Sequence, residues 1–188
     1  MDAVQDARAY ALSEISKYGL PNALHFEISE KKALELAEKL KADTTIVHIG
    51  VCFMDLKLGQ AFAEKKVDKH IEMGVTAAKE FLKKYKLDKV AQEKIINCIE
   101  AHHGTIPFTC KEAEICANAD CYRILTPRGF FIYLSILMKR GLDIDECLLQ
   151  AEEKIEEKRG VLSMDECKRE LIRHYEEWKR FIQEAKKN

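Results

Sequence analysis

The chain has 188 residues, 47% of them hydrophobic and 34% charged, enough for one globular domain whose core needs no disulfide or structural metal to hold it. Three prolines and eight glycines exclude a loop-rich or β-sandwich chain and point to long helices with solvated faces. With 31 basic and 32 acidic residues, the chain lacks the basic excess of a nucleic-acid binder, so nucleic acid is not an expected partner.

Hydrophobic periodicity and caps predict an all-α, single-domain bundle over 1–188 with about nine helices. The first, over 2–18, carries acids early, unlike a signal peptide, and is closed by Gly19 and the Leu20-Pro21 step. The second, over 29–41, places Ala33, Leu34, Leu36, Ala37 and Leu40 on one side. Asp43 caps a third over 44–58 that is apolar almost all round, as expected of a helix through the middle of the domain. A polar connection, GQAFAEKKVD, leads to a helix over 69–85. Another over 88–101 turns Val90, Ile95, Ile96 and Ile99 inward and stops at His102-His103-Gly104.

The segment KEAEICANADCYRIL restarts a helix and carries Asp120 among small residues. Thr126 then caps the next helix, with Pro127 at its first position and Gly141 at its end. Two amphipathic helices, over 143–159 and 164–186, finish the chain, the second opened by a capping box from Ser163 to Glu166. The last third, 126–188, carries no motif and reads as helices that cover the core. Its apolar faces serve either that core or a homodimer interface, because the stripe is the same for both. The longest apolar stretch, 130–138, is about half of what a bilayer requires, so no membrane partner is expected. Seven cysteines, odd in number and without a CxxC pair, fit reduced core thiols and a cytoplasmic location.

Five of the six histidines precede residue 104: His25, His48, His70, His102 and His103. Singly, each is more often a hydrogen-bonded core group than a ligand. Asp55 and Asp120, however, stand in apolar surroundings where a carboxylate needs a partner. Imidazole and carboxylate together point to a divalent metal ion, with its Lewis acidity and activated water.

The order of residues carries a resemblance. His25, then ALELAEKLKADTTIVHIGVCFMDLKLG, KHIEMGVTAAKEFL, INCIEAHHGT and KEAEICANADCYRIL, spanning 22–125 as the core, resemble the HD-domain metal-dependent phosphohydrolase superfamily. The resemblance implies His25, Asp55 and Asp120 as ligands of a first ion and Asp55, His70 and His102 as ligands of a second. It makes Asp55 the pivotal catalytic ligand, supported by His102, with His103 and Glu112 orienting water or leaving group and with Lys57 and Arg123 facing phosphate. His48 lies seven residues before Asp55 and roughly 10 Å away along the helix, too far to share an ion and better placed as a substrate contact.

One position departs. Met54 stands where the family's histidine precedes the aspartate, and a thioether is a weak ligand for hard divalent ions. Lys57 and Leu58 also replace a glycine and a lysine common after that aspartate. The implied activity is hydrolysis of a small phosphate ester, such as a nucleotide, by a metal-activated water, with one or two ions of Mn, Fe, Co, Ni or Zn. Met54 keeps open a catalytically degenerate relative that binds a nucleotide or a partner, and a di-iron oxygenase on the same fold is the third reading. If no ion is held, His25 and Asp120 are the expected hydrogen-bonded pair.

Overall fold

The protein was analysed as a computed structural model that describes residues 2–187, so the two end residues of the expected 1–188 domain lie outside it. The described residues form ten α-helices and no strand: α1 (Ala3–Tyr18), α2 (Ala23–Lys39), α3 (Thr44–Met54), α4 (Leu58–Ala63), α5 (His70–Leu82), α6 (Lys89–Glu100), α7 (Lys111–Leu125), α8 (Pro127–Lys139), α9 (Ile144–Val161) and α10 (Asp165–Ala185). A 3-10 turn, Val67–Lys69, precedes α5. The all-α class expected from the sequence is therefore the observed one.

The caps explain most boundaries. Asp2 accepts from the backbone N–H groups of Val4 and Gln5, and Gly19 closes α1 at φ 73°, where a side chain would be strained. Asp43 accepts from Thr45 and Ile46, and Thr126 with Pro127 starts α8. Helix α2 begins six residues before its expected start because Asn22 caps Leu24; His25 is thereby carried into its first turn.

Helix α3 stops at Met54, earlier than expected, and Asp55 is its C-cap. The segment read as a polar connection folds into α4 and the 3-10 turn, with Gly59 and Ala61 buried. Gly59 permits this packing, since a Cβ there would lie 2.5 Å from both the Leu20 carbonyl oxygen and Tyr18 Cβ. The apolar run Thr44–Ala63 is long enough to span a membrane by composition, but it breaks at Asp55 and is 67% buried in the protein over its most apolar window.

Two expectations fail locally. Val90 is 62% exposed rather than inward, lying in the first turn of α6 beyond the reach of the core. Ser163 does not cap α10: its hydroxyl donates to Glu114 and accepts from Asn118. The capping box in this region belongs to α9, through Asp143 and Glu146.

Helices α3 and α7 run through the core. Helix α7 packs against α2, α3, α6, α8, α9 and α10, and Ala113, Ala117 and Ala119 let those neighbours approach. This burial encloses Asp120 and Arg123 on α7, whose charges must then be met from within the protein. All seven cysteines are free thiols, and only Cys110 among them is not fully buried.

Candidate metal centre

Helix ends supply the site. Asp55 caps α3, His70 opens α5, and His102 and His103 follow the C-cap of α6, Ala101. Each histidine is fixed at Nδ1. His70 donates to the Val67 carbonyl at 2.7 Å, His102 to the Ile99 carbonyl at 2.7 Å and His103 to Glu157 Oε1 at 2.9 Å. Those acceptors assign the proton to Nδ1 and leave three Nε2 lone pairs, the usual orientation of metal-ligating imidazoles.

Asp55, His70, His102 and His103 each bring one ligand atom to within 4.8 Å of the other three. Asp55 Oδ1 is 3.8 Å from His70 Nε2 and 3.7 Å from His102 Nε2, while His70 Nε2 and His103 Nε2 are 3.4 Å apart. The separations from Asp55 are too long for hydrogen bonds. They match coordination better, since two atoms each about 2.1 Å from a tetrahedral ion lie about 3.4 Å apart. His102 is wholly buried and its Nε2 has no hydrogen-bond partner among the described residues. Facing lone pairs repel unless a cation lies between them, so this donor set fits a divalent transition ion. Burial lowers the pKa of His103 to about 4 against the pull of Glu157, and burial also lowers that of His70 against the pull of Asp55. Both rings are therefore neutral, the form that binds metal.

The other side of Asp55 belongs to a buried chain of charges. Asp55 Oδ2 lies 2.6 Å from Arg123 Nη1, Arg123 Nε 2.7 Å from Asp120 Oδ1, and Asp120 Oδ2 2.7 Å from Lys158 Nζ. Lys158 then meets Glu157 Oε1 at 2.9 Å, and Glu157 returns to His103. Asp55 Oδ2, both Asp120 oxygens and Arg123 Nε reach their partners in distance but lack hydrogen-bond alignment, so charge rather than directional bonding holds this chain. Burial pushes the Asp55 carboxyl up, but Arg123 and then His102 outweigh it and hold the group well below its ordinary range.

The other candidates are distributed elsewhere. His25 donates through Nε2 to the Gly129 carbonyl at 2.9 Å, and Asp120 is taken by Arg123 and Lys158. The expected His25–Asp120 pair is thus replaced by a backbone acceptor on one side and two cations on the other. Glu112 binds Lys94 and the Asp43 amide, and Lys57 binds Glu14. His48 meets Glu30, which also holds Arg8, with Cys52 close by. Burial raises the Cys52 thiol far above its ordinary pKa, which makes it a poor thiolate donor.

Sequence reasoning missed Glu157 and Lys158. The missed signal is the stripe Cys147, Leu148, Ala151 and Ile155 on α9, which Lys158 continues at helical spacing; a lysine on a buried stripe requires an anion. A cavity of about 450 Å³ reaches the centre through Val67, Arg123 and Glu157, which bond to its ligands, and is lined also by His25, Phe62, Tyr133, Ile136, Arg140, Glu153 and Lys154; the four cluster residues themselves are not in its wall. A larger groove of about 1020 Å³ along α1, α4 and α5 likewise contains none of the four cluster residues, and it lacks Arg123, Val67 and Glu157, the cluster's partners.

His25 carries a pH prediction. Burial, then Arg123, lowers its pKa from 6.5 to about 4 in the folded protein. The unfolded chain takes up this proton near pH 6.5, so the contribution is complete above that pH and is lost as the pH falls to 4, by ~3 kcal/mol. Urea unfolding in chelator between those limits should therefore show a slope that flattens in His25→Gln, which keeps an N–H for Gly129. An unchanged slope contradicts the assignment.

No family model matches the chain. Ribonuclease Y of Finegoldia magna is 34% identical over 92 residues, which are 49% of this chain and only 16% of that protein. Two solved structures are similar in fold. One is described as a predicted HD superfamily hydrolase from an uncultured Thermotogales bacterium, with TM-score 0.68 and 16% identity, covering 96% of this chain and 90% of that one. The other is Bacillus subtilis YpgQ in complex with ADP, with TM-score 0.65 and 15% identity, covering 100% of this chain and 96% of that one.

Proposed function

Because the chain has the fold of the HD superfamily, we propose that it is a metal-dependent phosphohydrolase whose divalent ion is held by Asp55 Oδ1 and the Nε2 atoms of His70, His102 and His103. The observation that carries this reading is His102 Nε2, sealed from solvent, without a donor, and turned toward a carboxylate and two further imidazoles. When bound, such an ion polarises a phosphate oxygen and lowers the pKa of water to near neutrality. The donor set accepts Mn, Fe, Co, Ni or Zn.

The chain's own residues do the rest. Glu157, Val67 and Ile99 hold the three imidazoles in register through Nδ1. Arg140 and, with their acidic partners, Arg123 and Lys154 supply the cations in a wall that also carries Glu153 and Glu157, while Phe62, Tyr133 and Ile136 give it an apolar side for the rest of the ester. Its volume of about 450 Å³ lies within the ~300–1,000 Å³ range of small-molecule sites. The ADP held by YpgQ supports a nucleotide as the substrate class, and we place the activity in a single reduced, cytoplasmic domain.

Phosphate release from a panel of nucleotides and simple phosphate esters tests this. Activity should disappear after chelation and return with Mn²⁺ or Co²⁺. One observation favours a second reading: Arg123 already neutralises Asp55, as in a pocket that binds without cutting. Nucleotide binding with no turnover at any added metal would favour that reading over hydrolysis.

A further inference from the structure

Asp55 and Asp120 are the two carboxylates expected, with His25, around a first ion, and the structure places protein cations there instead. Arg123 lies between them, with Nη1 on Asp55 and Nε on Asp120. Lys158, with no exposed surface, closes the second oxygen of Asp120. His25 donates its Nε2 proton to the Gly129 carbonyl, which leaves its lone pair on Nδ1, and among the described residues neither His25 nor Asp120 belongs to a group of three ligand atoms within 4.8 Å of one another. Met54 brings a thioether where an imidazole would be expected. A divalent ion at this position would meet a guanidinium and an ammonium in contact with the same carboxylates.

We propose that the Arg123 guanidinium, fixed by Asp120 with Lys158 behind it, is a built-in cation that takes the place of a first metal ion and leaves a centre for one ion. Arg123 also lines the adjoining cavity, where its charge is shared with Asp55 and Asp120. Lys158 lines neither of the two cavities described above and is a positioning residue. The inference rests on the metal-centre reading above and gives that centre a stoichiometry. It also leaves no room for di-iron chemistry.

Native mass spectrometry of the full chain titrated with Mn²⁺ counts the ions. The expected result is one ion per chain in the wild type, none in His102→Ala, and one still in Asp120→Asn, because Asp120 is not a ligand. Two ions in the wild type overturn the proposal and leave the metal-centre reading standing, whereas loss of the ion from folded Asp120→Asn overturns both. No ion in the wild type overturns both. If Asp120→Asn does not fold, the wild-type count decides.

Discussion

Replacing Asp120 by asparagine should lower stability by about 3–5 kcal/mol, the cost of breaking a buried ion pair from one side. Asp120 is wholly buried between two cations, each 2.7 Å away. Asparagine keeps the shape and removes the charge. Arg123 is then left with Asp55 alone and Lys158 with Glu157 alone. In a domain of this length the loss corresponds to a melting point lower by roughly 10 °C.

The effect has a pH signature. Burial raises the Asp120 pKa, but Arg123 and Lys158 together outweigh it and the carboxyl ends below its ordinary value. Its stabilisation is therefore complete above the unfolded value near 3.9 and is lost as the pH falls through the lower folded value. Calorimetry should show the full deficit of Asp120→Asn at neutral pH and a narrowing gap in acid. A deficit below about 1 kcal/mol at neutral pH, the range of an exposed pair, would mean that the charge chain is not what holds α9 against α7.

His102→Ala should reduce phosphatase activity at least ~100-fold, the upper range for loss of groups that merely support a metal ligand. Its stability should behave unlike that of an ordinary core truncation. In chelator the wild type carries a buried Nε2 with no donor, which costs about 1–3 kcal/mol, and removing the ring relieves that cost while opening a small cavity. The variant should therefore melt close to the metal-free wild type. With metal at 100 times its dissociation constant the wild type gains ~2.7 kcal/mol and the variant gains nothing. A variant that melts far below the wild type even in chelator would mark His102 as a packing residue instead.

Much of this architecture is legible in the sequence because it is written in local signals. Asp43 and the Thr126-Pro127 step mark helix starts, and Gly19 marks an end, wherever the rest of the chain folds. Asp55, His70, His102 and His103 stand out together because polar ligand residues at the ends of apolar runs have few other uses. Their association depends on the packing of α3, α5 and α6, which the family resemblance implied and periodicity alone did not.

What was not legible lies in long-range electrostatics. Arg123 reads as a phosphate contact and does line the cavity, but its pairing with Asp55 has no local signal. Lys158 stands on an amphipathic helix that carries no motif, and only the docking of α9 on α7 turns it inward to an acid thirty-eight positions away. Glu112 sits at a suggestive spacing before Asp120, but it holds Lys94 and the start of α3. Spacing along one helix fixes a face; it does not say which charge on another helix will meet that face.

The central claim is that one imidazole–carboxylate cluster, formed by Asp55, His70, His102 and His103, holds the ion. Anomalous diffraction at the manganese edge from crystals grown with Mn²⁺ tests it most directly. The account predicts a single peak enclosed by Asp55 Oδ1 and the three Nε2 atoms; no peak there, or a peak between His25 and Asp120, would contradict it.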